Sequence, residues 1–276
     1  MKYRRFFPLL LTALLVLPFG VIGAAAIEKP LTQAQSDLTA EGTLGAGCSE
    51  SALGDLLADA ALEETGAQMA ILPAGVMTGT LEKGAVFQSD LERVVPENAE
   101  LVTARLTAAD LAALLEPGVS KLSRKESEQI DPTSGWDGFP QVGGFSWEYD
   151  VSAPEGERLQ YIRYDGQELD LTDSQSAYTV VSVPALFDGS MGYPACSFER
   201  TGTELRQALR DDLTERVGVI GLIAHNVAAG IAVKVGDGQL LHPGEHPGPR
   251  LVQKALRDVR HELRVGGCAG KADDVK

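Results

Sequence analysis

The chain has 276 residues, 24 basic and 39 acidic, with 44% apolar and 6% aromatic side chains, a balance that can build a core and excludes a fibrous or disordered polymer. A formal charge of −15 excludes non-specific nucleic-acid binding, which needs a basic surface to displace counterions from phosphates. Cys48, Cys196 and Cys268 are too few and too scattered for a disulfide scaffold or a zinc ribbon, so folding rests on apolar burial.

Lys2, Arg4 and Arg5 precede an uncharged run from Phe6 to Ala26 that ends in Ala24-Ala25-Ala26, the small-x-small pattern of a signal-peptidase site. Residues 1–26 therefore read as a signal peptide or, uncleaved, as an N-terminal anchor. They predict a secreted, periplasmic or cell-surface protein whose membrane contact would run only through that segment. Residues 27–49 are polar and Gly/Thr-rich without a period, as in a linker or an adapting arm.

From Glu50 to Glu64, Leu53, Leu56, Leu57, Ala60 and Ala61 recur at helical spacing, and Gly66 ends the pattern. Met69 to Leu72 predicts a short strand broken by Pro73-Ala74-Gly75. Ser89 to Val95 predicts a brief helix capped by Ser89 and stopped by Pro96, and Leu101 to Leu106 alternates as a strand does. Thr107 caps a helix from Ala108 to Glu116, with Asp110 completing a capping box and Pro117-Gly118 terminating it. Lys121 to Gly138 is charged and aperiodic, an exposed loop in which Trp136 alone is expected to dock. Phe145, Trp147 and Tyr149 alternate with polar residues, and Leu159 to Tyr164 turns at Asp165-Gly166 into Gln167 to Leu171. Tyr178 to Val183 predicts another strand and Thr203 to Arg216 a charged helix.

These elements form a domain over residues 50–216, followed by an extension over 217–276. The apolar run Val217 to Val235 is interrupted by His225, Asn226 and Lys234, which favours buried strands over a membrane span. Arg250 to Arg264 closes the chain as an amphipathic helix.

Local chemistry argues against a self-contained enzyme. A metal pair needs several converging His and Asp ligands, and only four histidines occur, His225, His242, His246 and His261. His242, Glu245 and His246 lie in a Pro-rich loop without fixed helical spacing, so a solvated loop is the simpler reading. There is no Gly-x-Ser-x-Gly elbow and no P-loop, and Asp211-Asp212 reads as a solvated helix face.

The order of segments carries more. Glu50-Ser51-Ala52-Leu53-Gly54-Asp55-Leu56-Leu57-Ala58-Asp59-Ala60, the Gly75 loop and Pro96-Glu97-Asn98 before a strand come first. Phe139-Pro140-Gln141-Val142-Gly143-Gly144, the Asp165-Gly166 hairpin and Tyr178 leading to Gly192-Tyr193-Pro194 follow. In this sequence of motifs the chain resembles the C-terminal domain of the secreted 5′-nucleotidase and UDP-sugar hydrolase family. The resemblance implies an α/β (α+β-like) fold, a mixed sheet with flanking helices. It also implies a module that binds the nucleoside part of a substrate while a separate metallophosphatase domain holds two metal ions and hydrolyses it. The Asp-x-His, Gly-Asn-His and Gly-His-x-His ligand motifs of that catalytic domain do not occur in the sequence. The expectation is therefore no cofactor in this chain, divalent metals only with a metallophosphatase partner in trans, and a nucleoside or nucleotide as ligand.

Several family handles are replaced. The Asn-x-Gly-x-Arg-like loop reads Pro73-Ala74-Gly75-Val76-Met77, so Met77 puts a thioether where an anion-pairing Arg is expected. Ala185 stands for a base-stacking Phe, and Met191 for a ribose-binding Asp. Asn98, Phe139, Gln141, Gly143, Gly144 and Tyr193 survive as candidate substrate-binding residues. Each has a structural alternative: a core ring for Phe139, a packed corner for Tyr193, backbone capping for Gln141 and Asn98, and close backbone approach for the glycines. Two functions follow, a nucleotide-related binding module and a non-catalytic structural or interaction protein whose pocket Met77, Ala185 and Met191 have refilled.

Overall fold

The computed structural model describes residues 28–125 and 129–215, together with the backbone of two short strands at 233–235 and 239–241. The leader over residues 1–26, the terminal helix, all four histidines and Cys268 lie outside the described residues. So do residues 217–232 of the expected strand region.

Chain order sets the architecture. The stretch read as a linker or arm carries β1 (Thr32–Ala34) and β2 (Leu38–Thr39), and α1 (Ala52–Thr65) follows. Next come β3 (Met69–Pro73), β4 (Thr80–Leu81), β5 (Gly84–Val86), α2 (Gln88–Val94), β6 (Glu100–Thr107) and α3 (Ala108–Ser120). The second half contributes β7 (Pro140–Gly143), β8 (Phe145–Tyr149), β9 (Leu159–Tyr164), β10 (Gln167–Glu168), β11 (Ala177–Ser182), α4 (Pro184–Phe187) and β12 (Glu199–Glu204). Helix α5 covers residues 205–215, and β13 (Val233–Val235) pairs antiparallel with β14 (Gln239–Leu241).

A five-stranded mixed sheet in the order β12-β6-β11-β3-β7 forms the centre, with β11 parallel to β3 and every other pairing antiparallel. The β3 run Met-Ala-Ile-Leu-Pro is buried throughout because both faces of the sheet are covered. Met69 and Ile71 face one layer, and Ala70 and Leu72 the other. On one side lie α1, α2 and α5, which bring Leu53, Leu57, Leu91 and Leu209. On the other lie α3, α4 and the three-stranded sheet β10-β9-β8, which bring Leu111, Leu115, Phe187 and Ile162. The result is the expected mixed α/β fold.

Helix α1 ends at the predicted Gly66, whose φ of 66° closes the C-terminus onto the Leu62 carbonyl, and at its start the Ser51 hydroxyl, a cap the periodicity does not announce, accepts from Gly54 N–H at 3.0 Å. In the first turn burial, followed by the charge and hydrogen bond of Glu50, raises the Asp55 carboxyl to about 6. The arm is tied down at both ends, β1 pairing with β5 and β2 with β4. The Asp165-Gly166 turn has φ of 48° and 75°, the positive pair that a tight hairpin demands.

Four boundaries differ from the sequence reading. Helix α2 begins one residue before Ser89, because the Asp90 carboxylate takes the Phe87 N–H at 2.9 Å while Ser89 bonds to Glu28. Helix α3 passes through Pro117 to Ser120 instead of ending there. Arg158 makes this tenable by donating from Nη1 to the carbonyls of Val119, Ser120 and Leu122 at 2.6–2.9 Å. The strand expected to reach Leu171 stops at Glu168, as Asp170 folds onto Thr172 N–H at 2.9 Å. Glu199–Glu204 is a polar edge strand that the periodicity does not announce, and α5 starts after it.

Two measurements test this architecture. Gly144 sits at φ 79° with an added Cβ only 2.5 Å from the Gln68 carbonyl oxygen. Gly144→Ala is expected to lower stability by about 2–4 kcal/mol, read as a reduced urea midpoint with unchanged slope. For Asp55, a folded-state pKa above the unfolded value means the folded protein holds more protons between about pH 4 and pH 6. Its contribution is therefore favourable at the acidic end and is lost as pH rises through about 6. Asp55→Asn should remove that dependence, raising stability at pH 7 relative to pH 4.5 by about 1 kcal/mol after allowance for solvent screening.

Candidate functional site

Because β3 and β11 run parallel, their C-terminal ends emerge on the same side as the N-terminal ends of β7 and β6. The 73–79 loop, the 132–139 loop and the 183–193 segment therefore gather at one end of the sheet, the end at which mixed and parallel sheets present ligand-contacting loops.

The candidate residues meet different fates there. Phe139 is 1% exposed and packs its ring against Trp147 and Tyr149 at centroid distances of 6.2 and 6.1 Å. Gln141, also 1% exposed, accepts from Ser51 N–H at 2.9 Å and the Ser51 hydroxyl at 3.0 Å. Its amide donates to the carbonyls of Ala46 and Ser49, both at 2.7 Å. Tyr193 is 3% exposed and donates its hydroxyl to the Gly138 carbonyl, and burial pushes its phenol well above the ordinary value. Gly143 and Gly144 let β7 close on its neighbours: a Cβ on the first would lie 2.8 Å from the Ala58 methyl. Asn98 stands apart, before β6, with β11 and β3 between it and β7. It donates to Glu204 and accepts from Arg206 N–H at 3.1 Å, capping α5.

The replaced positions are filled. Met77 is 6% exposed, its sulfur 3.8 Å from the Ser51 hydroxyl, while Ala185 and Met191 are half-buried against the two core layers. Phe139, Gln141 and Tyr193 are thus all interior side chains, but Phe139 belongs to one core layer and Tyr193 to the other, and the hydrogen bonds of Gln141 and Tyr193 go to protein groups.

What opens beside them is a cleft of about 390 Å³ between the 40–47 loop and the 74–79 and 132–137 loops. Met77, Thr78, Trp136 and Asp137 line it with the glycine-rich backbone of the arm. Its walls are held by backbone bonds: Trp136 N–H to the Gly47 carbonyl at 3.1 Å and Gly75 N–H to the Asp137 carbonyl at 2.7 Å. Gly75 has no room for a side chain, since a Cβ would meet Asp137 Cβ at 2.8 Å. The Trp136 ring stacks on Tyr193 at 5.9 Å and 14°, and its indole N–H donates to the Gly118 carbonyl at 2.9 Å. Trp136 and Asp137 are cleft-lining residues that the sequence reading did not single out as a site. The available signal was a lone Trp in a charged loop, next to the Phe139 motif.

A larger groove, of about 700 Å³, runs along α3 past Ala112, Glu116, Pro117, Leu159, Leu171 and Gly192. Of its two carboxylates, Glu116 and Glu155, the first already serves the fold, accepting the backbone N–H groups of Arg158 and Leu159 at 2.9 and 2.7 Å.

The family model for the 5′-nucleotidase C-terminal domain matches residues 30–198. The chain belongs to this family. It is 24% identical over 178 residues to the trifunctional nucleotide phosphoesterase protein YfkN of Bacillus subtilis strain 168, a match spanning 62% of this chain and 12% of that protein. Among solved structures, a 5′-nucleotidase precursor of Thermus thermophilus superposes with a TM-score of 0.58 at 25% identity, over 68% of this chain and 36% of the other. A putative 5′-nucleotidase from Staphylococcus aureus shares the fold with a TM-score of 0.57 at 19% identity, over 68% and 38% of the two chains. The chain thus spans about a third of these solved relatives and a smaller share of the curated one. The family match begins at residue 30, so it includes the β1 and β2 arm, and ends at residue 198, before β12.

The role assigned to Gln141 can be measured. Gln141→Ala removes four hydrogen bonds and leaves the Ala46 and Ser49 carbonyls without that donor, so a loss of about 2–4 kcal/mol is expected in chemical denaturation.

Proposed function

We propose that this chain is an exported nucleotide-related binding module of the 5′-nucleotidase type, which supports phosphate-ester hydrolysis together with a metallophosphatase domain acting in trans. The observation that carries the reading is the 390 Å³ cleft beside Met77, Trp136 and Asp137, formed by the loop that bears the anion-pairing residue in the resembling family. Its volume falls in the range of about 300–1,000 Å³ typical of small-molecule sites. An indole beside a carboxylate suits a nucleoside, offering a flat apolar surface for the base and an acceptor for sugar hydroxyls. Export rests on the leader-like pattern of residues 1–26, and divalent metal would enter with the partner domain.

A second reading has its own support. With Phe139, Gln141 and Tyr193 buried and Met77 packed on Ser51, the same scaffold would serve as a structural or interaction protein with a refilled pocket.

Isothermal titration of adenosine, AMP and a UDP-sugar separates the two. The binding module gives saturable heat with at least one of them at micromolar to millimolar concentration. No heat from any of the three, in the wild type and in the pocket-restoring Met77→Arg/Met191→Asp variant, leaves the scaffold reading. Turnover of AMP by the pure chain with added divalent metal would contradict the need for a partner.

A further inference from the structure

The wall of the cleft carries charge of one sign. Glu41 and Asp137 both line it, and among the described residues no lysine, arginine or histidine does. Both residues are exposed, and neither carboxylate belongs to an ion pair among the described residues. Lys121, whose Nζ stands 3.5 Å over the Trp136 ring, is not part of the lining. Met77 occupies the position at which the resembling family offers a guanidinium, and its sulfur lies 3.8 Å from the Ser51 hydroxyl.

The backbone does not make up for the missing cation. A phosphate held without one needs N–H groups aimed at it. Here the N–H groups of Ala46, Ala74, Met77, Thr78 and Trp136 each donate to a backbone carbonyl at 2.7–3.2 Å, and that of Glu41 goes to Thr39 Oγ1 at 2.9 Å. The segments that carry the two carboxylates are themselves tied down. Ala40 N–H donates to the Gly79 carbonyl at 2.9 Å beside Glu41, and the Asp137 carbonyl takes Gly75 N–H at 2.7 Å. A phosphate entering the cleft therefore meets two like charges and a wall whose donors are engaged, whereas sugar hydroxyls bring donors that a carboxylate accepts.

We propose that Glu41 and Asp137 set the charge selectivity of the cleft, so that it prefers an uncharged nucleoside to the corresponding monophosphate. This rests on the nucleoside reading of the cleft and adds which side of the reaction it serves. Hydrolysis of the phosphate ester converts a dianionic nucleotide into the neutral nucleoside and inorganic phosphate. The cleft then suits the nucleoside product, and the phosphate of the substrate falls to the metallophosphatase partner.

Titration of the full chain with adenosine and with AMP, in metal-free buffer at low ionic strength, tests it. Adenosine is expected to bind roughly tenfold tighter than AMP, the effect of two like charges acting through solvent at close range, and the gap should narrow in high salt. The Glu41→Gln/Asp137→Asn variant should bring the affinity ratio close to one, whereas Glu199→Gln, on the sheet edge opposite β7, should leave it at the wild-type value. Equal affinities or an AMP preference in the wild type would overturn the charge assignment while leaving the cleft as a nucleoside site. So would a ratio that survives the double substitution, or one that Glu199→Gln lowers as far. Absence of binding by both ligands to the wild type would remove the cleft reading and this proposal together.

Discussion

The buried amide of Gln141 connects parts of the molecule that are far apart in sequence. It reaches from β7 to the first turn of α1 through Ser51 and to the arm through Ala46 and Ser49. Gln is the only neutral side chain long enough to offer an acceptor to an N-cap and two donors to a loop from a strand position. Its placement also forces the glycines around it. At Gly54 a Cβ would fall 2.1 Å from the Gln141 carbonyl oxygen, so the helix can meet the amide only where a side chain is absent. The geometry of the loops that frame the cleft follows from this anchor, since the arm reaches the cleft through residues 40–47.

The consequence for function is a division of labour among adjacent residues. Phe139 and Gln141 face inward into the core, whereas Trp136 and Asp137, only a few positions earlier, line the cleft. Gly138 marks the change: an added Cβ there would collide with the Trp136 ring at 2.2 Å. A motif that reads as ligand-binding in sequence can thus lie inside the fold while its neighbours line the adjoining cleft.

Much of the fold was legible because its signals are local. The apolar stripe and Gly66 stop of α1, the Thr107 capping box and the Asp165-Gly166 turn act within a few residues, and all of them appear where the sequence has them. Long-range partners decided the exceptions. Pro117 does not stop α3 because the guanidinium of Arg158, just before β9, caps it, and residues 31–40 read as aperiodic because two- and three-residue strands have no period to show. Site residues were less legible for the same reason. Phe139 and Tyr193 as letters are compatible with stacking on a base, and only the packing of Trp147, Tyr149 and Trp136 around them fixes their burial.

The cap that Arg158 places on α3 also joins distant parts of the chain. The last carbonyls of this helix are satisfied by a side chain some forty residues downstream, just before β9, the strand that pairs with β8. Because Lys121 and the Gly118 carbonyl belong to this same turn, the two polar contacts of the Trp136 indole rest on the segment that Arg158 caps. The cleft wall is in this sense a cooperative product of both halves of the domain, and amide exchange at Gly118 to Leu122 should report the opening of the small sheet as a unit.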